Sequence, residues 1–339
     1  MISHISKRLN WIDWAKTIAI TMVVYGHIPQ ERGSFPLNYI VLFHMPLFFF
    51  ISGYLTKKEF FCTDTIKKYW RTLVIPYLFF NLIFYPYWVF RYIINTTNLE
   101  WYVLLKPIIG TILLQHETSY YESLNGVTWF IAALLVMKVI LSICNNYKNG
   151  NKLYIALVIA SAFFYIFNEF CKFVTDLPPV GFVKCLPFFY LGYFCKTKNY
   201  LPQIHQKKDW LGFIFFTGLS LIAYKYIKAL YSPICFGITF WTICLTAIWG
   251  FFCLCRILDH VHNSIIFNIS IGTIVILGMH WMLIGTTNFI ISKMFLQGTD
   301  VVYSWYTAII LAILFVGILY PVIIIIKKKM PYLLGKTKI

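Results

Sequence analysis

The chain has 339 residues, of which 60% are hydrophobic and 12% charged, with a formal net charge of +17 and a mean hydropathy of +0.72. A soluble domain carries about a quarter charged residues, so this composition excludes an ordinary soluble enzyme. The basic residues lie in short segments between apolar stretches, which points to membrane orientation and away from nucleic-acid binding.

Ten apolar stretches have the length expected of transmembrane helices, about 17–25 residues. They cover residues 11–28, 37–56, 72–94, 127–145, 153–171, 181–195, 210–228, 235–255, 265–291 and 302–326. We therefore expect an all-α integral membrane protein, a bundle of about ten transmembrane helices that forms a single domain over residues 1–339.

The connecting segments predict the orientation of this bundle. Along the chain, connections that are rich in Lys and Arg alternate with connections that are poor in them. In membrane proteins the cytoplasmic loops are the ones rich in Lys and Arg. We expect both termini in the cytoplasm and the protein as a multi-pass component of the cell membrane. The apolar but short segment 102–115, with Pro107 and Gly110, predicts an interfacial or re-entrant helix inside the outer loop 95–126.

The first predicted span, W-I-D-W-A-K-T-I-A-I-T-M-V-V-Y-G-H-I, contains three titratable side chains. At about 100° per residue, His27 lies roughly 20° from Lys16 and roughly 40° from Asp13, so all three share one helical face. Lys16 and His27 are about 16 Å apart along the axis. Ionisable groups inside a membrane are costly, and this shared face predicts a functional surface that avoids lipid.

The second predicted span contains F-H-M-P-L-F-F-F-I-S-G-Y-L, which places His44 and Pro46 near its outer end. By itself, His44 is either a hydrogen-bonded interior histidine or a site residue. Ser52 and Gly53 near the inner end are typical of close helix packing, with a site role as the alternative.

Nine cysteines are scattered through the chain, mostly in predicted spans, with no C-x-x-C pair and no metal-ligand spacing. We interpret them as small apolar packing residues and predict no metal site.

The order of these motifs resembles the membrane-bound acyltransferase type 3 family. The segments that carry the resemblance are R-L-N-W-I-D-W-A-K-x10-H, the second-span motif, and R-T-L-V-I-P-Y at 71–77. The chain is most similar to the branch of sugar O-acetyltransferases that resemble fucose 4-O-acetylases. Looser similarities are V-T-W-F-I-A-A-L-L at 127–135, P-F-F-Y-L-G-Y at 187–193 and S-I-G-T-I-V-I-L-G-M-H-W at 270–281. Lys16 stands where many relatives carry Arg, which keeps the charge but loses bidentate phosphate geometry.

The resemblance implies transfer of an acyl group, usually acetyl, from cytoplasmic acyl-CoA to a hydroxyl of a cell-surface or lipid-linked carbohydrate. The candidate catalytic residues are His27, as base or acyl carrier, with His44 and Asp13. The candidates for binding acetyl-CoA are Lys16, Arg71, Ser52 and Gly53. The candidates for binding the carbohydrate acceptor are Trp129, Glu169 and His280.

Each candidate also has a structural interpretation. Lys16 is near enough to the interface to snorkel, Asp13 can pair with it as an i, i+3 neighbour, and Arg71 can act only in orientation. His280 can bond a backbone carbonyl, and Glu169 can be solvated. Two other functional classes stay open: a proton-coupled transporter, and a sugar exporter without acyl transfer.

Overall fold

The computed structural model describes residues 9–31, 33–96, 100–114, 124–171, 179–200, 205–227, 233–295 and 298–335, and all longer elements in these ranges are helical. In chain order they are α1 (Asn10–His27), α2 (Phe35–Leu55), α3 (Thr63–Tyr69), α4 (Ile75–Asn95), α5 (Trp101–Ile112), α6 (Trp129–Asn145), α7 (Gly150–Cys171), α8 (Pro179–Thr197), α9 (Gln206–Ile227), α10 (Pro233–Ile257), α11 (Ser264–Ile271), α12 (Thr273–Phe295) and α13 (Trp305–Lys329). A π-helical turn, Trp70–Val74, joins α3 to α4.

Seven helical segments in the described residues are long and apolar enough to cross a membrane. They are Phe35–Leu55, Thr63–Ile94, Gly126–Asn145, Gly150–Phe167, Gly237–His260, Thr273–Phe295 and Trp305–Lys329. The predicted class, an all-helical membrane protein with several spans, is confirmed. The three other long helices, α1, α8 and α9, are less apolar, and their place in the membrane belongs to the proposal below.

Helices α2 and α8 pack with their backbones in contact, because each provides a glycine at the crossing. A Cβ on Gly53 would overlap the carbonyl oxygen of Phe189, and a Cβ on Gly192 would overlap that of Phe50. Small residues that allow such close approach are the usual device for packing helices in membranes. The structure therefore uses Gly53 for packing against α8.

The proline inside α2 leaves a helix carbonyl that another helix satisfies. Pro46 has no N–H, so it cannot donate to the carbonyl of Leu42 one turn earlier. The thiol of Cys244 on α10 donates to that oxygen, at 3.4 Å between sulfur and oxygen. Cys244 is fully buried, so it packs in the core and also satisfies the carbonyl that Pro46 leaves without a donor in α2.

The predicted span 265–291 is interrupted at Gly272, between α11 and α12. A Cβ at this position would overlap the side chain of Ile323 on α13. The interruption leaves Ser270 in the last turn of α11, where backbone carbonyls have no partner within their own helix. The backbone carbonyl of Ser270 is part of the site described next.

Helix α5 has 12 residues, too few to span a membrane, as its sequence predicts. A buried polar network joins it to α4 and to the segment before α6. Asn81 accepts from the backbone N–H of Asn125 (3.0 Å) and donates to Thr128 Oγ1 (2.9 Å), while Tyr77 donates to the carbonyl of Thr111 (2.8 Å). Asn125 in turn donates to the carbonyl of Gly278 at 2.8 Å. The network thus fixes residues 124–128 against α12, two residues from His280.

Candidate active site

Three histidines from three helices meet in one layer of the bundle, called the histidine layer below: His27 of α1, His44 of α2 and His280 of α12. Nδ1 of His27 lies 3.3 Å from Nε2 of His280, and the two ring centres are 5.0 Å apart. The ring of His44 packs beside Gly26, with its Cε1 4.0 Å from the place of a Cβ on that glycine. His280 is fully buried and His27 is partly exposed.

Backbone carbonyls determine which nitrogen of each imidazole carries the proton. His27 Nδ1 lies 2.8 Å from the carbonyl oxygen of Val23, and His280 Nδ1 lies 2.8 Å from that of Ile276. A carbonyl oxygen only accepts, so both neutral rings are protonated at Nδ1 and carry their lone pair at Nε2. The lone pair of His280 therefore faces the Nδ1–H of His27, and that of His27 lies on the opposite side of its ring. This arrangement orients His27 as a base and stabilises positive charge on it.

Asp13 and Lys16, at the other end of the same face of α1, both contact Ser270. The Ser270 hydroxyl donates to Asp13 Oδ1 at 2.5 Å, and the Lys16 ammonium donates to the Ser270 carbonyl that the break at Gly272 leaves at the end of α11. Asp13 is 4% exposed, so this contact serves a buried carboxylate. Sequence patterns did not single out Ser270, because its role depends on the break in the helix.

A cavity of about 400 Å³ lies between these two groups and is called the central cavity. Its polar lining includes Lys16, Ser52 and Lys138, and most of the remaining lining is apolar. On α1, α2 and α12 it reaches Val23, Met45 and Leu277. Val23 and Leu277 are one helical turn from His27 and His280, respectively, and Met45 follows His44 directly in the chain.

The directions of the three helices place all three histidines at the same end of the central cavity. Lys16 contacts Ser270 and His27 contacts His280, so α1 runs in the same direction as α11 and α12. Helix α2 follows α1 after a short connection and runs the opposite way. The histidine layer therefore lies within about one helical turn of the cavity lining, at the end away from Lys16.

A second cavity of about 630 Å³ opens at the Lys16 end and is called the basic vestibule. Lys16 and Leu55 line both cavities, so the two are adjacent at these side chains. The vestibule adds three exposed or partly exposed lysines to the lining, namely Lys57, Lys58 and Lys196. Such a concentration of positive charge suits a phosphorylated ligand.

Asp13 lines the vestibule, and a second carboxylate, Glu59, follows Lys57 and Lys58 in the connection after α2. Partial burial raises the pKa of its carboxyl group, but hydrogen bonds from Lys68 and Tyr69 and the nearby charges of Lys68 and Lys138 outweigh burial. Its pKa therefore lies below the usual value, and Glu59 stays ionised while it pairs with Lys68.

Lys138 is a cation of the central cavity that sequence analysis missed. It is the one charged residue in the sequence of α6, and its ammonium lies 5.9 Å from the ring centre of Tyr69. A lone charge in an apolar span was a usable signal. The sequence could not show that it lies on the same cavity as Lys16.

The other predicted site residues lie apart from the two cavities. Arg71 is exposed on the π-helical turn before α4. Trp129 begins α6, with its ring 5.9 Å from that of Phe49. Gly53 packs against α8, and the side chain of Glu169 is outside the part of the chain that the structure describes.

The sequence matches the acyltransferase 3 family, described as "Acyltransferase domain", over residues 9–327. The chain belongs to this family. The membership predicted from the motifs of the first three spans is confirmed, and the match covers every element described above from α1 to α12 and nearly all of α13.

Among curated proteins, this family member is similar to Nodulation protein NolL of Mesorhizobium japonicum. The two are 27% identical over 227 residues, which are 62% of this chain and 54% of that protein. The matched region thus spans about half the length of this relative. No solved structure matches the chain.

Proposed function

We propose that the protein is a membrane O-acyltransferase that moves an acyl group, usually acetyl, from cytoplasmic acyl-CoA to a hydroxyl of a cell-surface or lipid-linked carbohydrate. The observation that carries this proposal is the succession, along α1, of the basic vestibule, Lys16, the central cavity and the histidine layer. Family membership supports the acyl-transfer chemistry.

This succession fits the chemical order of an acyl-CoA. Its phosphates suit the vestibule lysines with Lys16 and Lys138, since phosphate oxygens need cationic hydrogen-bond donors. Its uncharged arm suits the apolar lining of the central cavity, and its thioester then lies near Val23, one turn from His27. Ser52 belongs to this lining, and Arg71 adds charge on the same side of the bundle in the orientation proposed here.

His27 acts as general base in this proposal. The acceptor hydroxyl oxygen attacks the thioester carbonyl carbon, and the hydroxyl proton moves to Nε2 of His27. The carbon–sulfur bond then breaks, and the departing thiolate takes the proton to become the CoA thiol. His280 holds the His27 ring through the Nδ1 contact, and Asp13 orients the Lys16 end through Ser270. His44, close to Gly26, lines the approach of the acceptor.

The orientation belongs to the same proposal. Ten helices of 17 residues or more occur in the described ranges, and each overlaps one of the ten apolar stretches in the sequence. With all ten across the cell membrane and both termini in the cytoplasm, the basic vestibule opens to cytoplasmic acyl-CoA. The histidine layer then lies toward the outer half, where the carbohydrate enters.

Replacement of His27 tests the proposal. We expect His27→Ala to reduce transfer from labelled acetyl-CoA to membrane glycan by about 10²–10⁴-fold, the usual contribution of a general base. His260→Ala is the matched control, because this exposed histidine also contacts a local carbonyl, that of Ile257, but lies outside the histidine layer. Membrane abundance is measured for each variant.

Two outcomes contradict the proposal. Near-normal transfer by a well-expressed His27→Ala variant removes His27 from the mechanism. Transport of the carbohydrate by the native protein without any acylated product assigns the chain to the transporter class. A labelled acyl-enzyme trapped on His27 would instead replace the base role by a covalent acyl carrier.

A further inference from the structure

A separate cleft of about 270 Å³ lies between α4 and α12 and is called the aromatic cleft. Its lining combines four aromatic side chains, one arginine, one leucine and one glycine, namely Phe84, Tyr87, Trp88, Trp281, Arg91, Leu124 and Gly285. The predicted acceptor residues Trp129 and Glu169 are not part of this lining, and no function was assigned to it from the sequence.

Glycines shape this cleft around its aromatic rings. Phe84 and Trp281 are stacked, with ring centres 5.8 Å apart and planes at 27°. A Cβ on Gly126 would come within 2.8 Å of the Trp281 ring, and one on Gly285 would overlap the hydroxyl of Tyr87. A side chain at Gly126 or Gly285 would therefore displace the ring of Trp281 or of Tyr87.

The cleft is also more than a row of interfacial aromatic residues. Phe84 is 6% exposed and stacks on the ring of Trp281, which is 36% exposed, and both rings line the cleft. Arg91 lines the same cleft and donates from Nη1 to the Tyr87 hydroxyl at 3.4 Å. Aromatic faces with one or a few well-placed polar groups are typical of small-molecule sites.

Its position relative to the histidine layer is the decisive observation. Along α12 the central cavity is lined by Thr273, Ile274 and Leu277, and the aromatic cleft by Trp281 and Gly285. His280 lies between these two sets. Since a helix rises about 1.5 Å per residue, Leu277 and Trp281 are only about 6 Å apart along the axis. Along the axis of α12, His280 therefore lies between the lining of the central cavity and the lining of the aromatic cleft.

We propose that the aromatic cleft binds a pyranose ring of the carbohydrate acceptor, an inference that rests on the acyl-transfer function proposed above. The apolar C–H face of the sugar stacks on Trp281, and Arg91 donates hydrogen bonds to its oxygen atoms. The planar donor fork of arginine also suits a carboxylate or phosphate group on the acceptor. Another hydroxyl of the same sugar, or one of the adjoining sugar, then reaches His27, while the thioester is bound in the central cavity.

Kinetics with two substrates test the proposal in the full-length protein. We expect Trp281→Ala and Arg91→Ala each to raise KM for the glycan acceptor at least about tenfold, with KM for acetyl-CoA changed less than about twofold. Trp281→Phe should keep most of the acceptor affinity, since it retains an aromatic face. Trp305→Ala is the control, because Trp305 is an exposed tryptophan at the start of α13 and lies outside the cleft.

A binding experiment separates failure of this proposal from failure of the acyl-transfer function. Saturation-transfer NMR on the protein in nanodiscs uses neutral methyl pyranosides, a methyl glucuronide and a hexose phosphate as probes, with no acyl donor. We expect at least one probe to bind the native protein and the Trp305→Ala variant, and to lose its signal in Trp281→Ala. Absence of binding by all probes, or equal binding by Trp281→Ala, overturns the cleft assignment. If the native protein binds a probe but transfers no acyl group, the cleft assignment stands and the proposed reaction is overturned.

Discussion

At the scale of single residues, the site depends on polar atoms whose partners come from distant parts of the chain. His27 meets a histidine 253 residues away, and Asp13 meets a serine 257 residues away. Backbone carbonyls also take part at each place. The carbonyl of Val23 orients His27, and the carbonyl of Ser270 accepts a hydrogen bond from Lys16. Side chains and helix breaks together define the chemistry.

In the proposed mechanism His280 positions His27, which gives a specific prediction. We expect His280→Leu to lower kcat by about 10–100-fold with little change in KM for either substrate, because it removes the second acceptor, beside the Val23 carbonyl, that faces the Nδ1–H of His27. His280→Gln should recover much of kcat, since an amide oxygen can accept the same hydrogen bond. Steady-state kinetics on both variants are the measurement. Equal loss in the two variants would mean that His280 contributes only to packing.

The cations of the central cavity give a second prediction at this scale. Lys16→Ala and Lys138→Met should each raise KM for acetyl-CoA about tenfold or more, because each removes a donor for phosphate oxygens. Lys16→Arg should retain much more activity than Lys16→Ala, and Arg71→Ala tests whether the exposed arginine contributes. Lys148→Ala is the control, an exposed lysine outside both cavities. If none of the cavity variants alters the use of acetyl-CoA, entry through the basic vestibule is wrong.

At the scale of elements, the helices are predictable where local sequence controls them and less so where packing does. The predicted span 302–326 begins too early, because Ser304 accepts from the N–H of Thr307 and α13 starts only at Trp305. The predicted span 72–94 begins too late, since α3 and the π-helical turn precede α4. The predicted span 265–291 is two helices, which meet at Gly272 where the chain packs against Ile323.

The contact between α2 and α8 gives a stability prediction. Gly192→Ala places a methyl group on the carbonyl of Phe50, and we expect a loss of about 1–3 kcal/mol, the usual cost of overpacking. Gly317→Ala on α13 is the control, because no heavy atom lies within 4 Å of its Cβ position and alanine favours helices. Thermal unfolding of the detergent-solubilised protein is the measurement. The packing assignment requires a lower Tm for Gly192→Ala than for Gly317→Ala.

At the scale of the whole molecule, the proposed function requires that donor and acceptor approach the histidine layer from different sides of the membrane. The central cavity and the aromatic cleft lie on either side of His280 along α12. Acyl-CoA is a cytoplasmic compound in this proposal, and the carbohydrate lies outside. In this proposal the bundle separates the two substrates until their reacting atoms meet.

The orientation is testable with reporters. Green fluorescent protein fused after Lys338 should fluoresce, since it folds in the cytoplasm, and alkaline phosphatase inserted in the loop 95–126 should be active, since it folds outside. The reason is the alternation of Lys and Arg along the chain. An exported C-terminus would contradict the ten-span arrangement and the cytoplasmic opening of the vestibule.

The sequence by itself determined the membrane class, the approximate positions of the long helices, the family, and the polar face of α1 with Asp13, Lys16 and His27. These features follow from hydropathy, from the helical period and from short motifs, which are all local properties of the chain. They required no knowledge of which helices are neighbours.

Only the tertiary structure decided which of these residues act together. It joined His27 to His280, brought Ser270 to Asp13 and Lys16, placed Lys138 on the central cavity, and assigned Gly53 to packing against α8. The physical reason is that helix neighbours in a membrane are selected by close packing between faces that are far apart in sequence. Apolar composition is nearly the same on all of these faces, so hydropathy carries little information about their pairing.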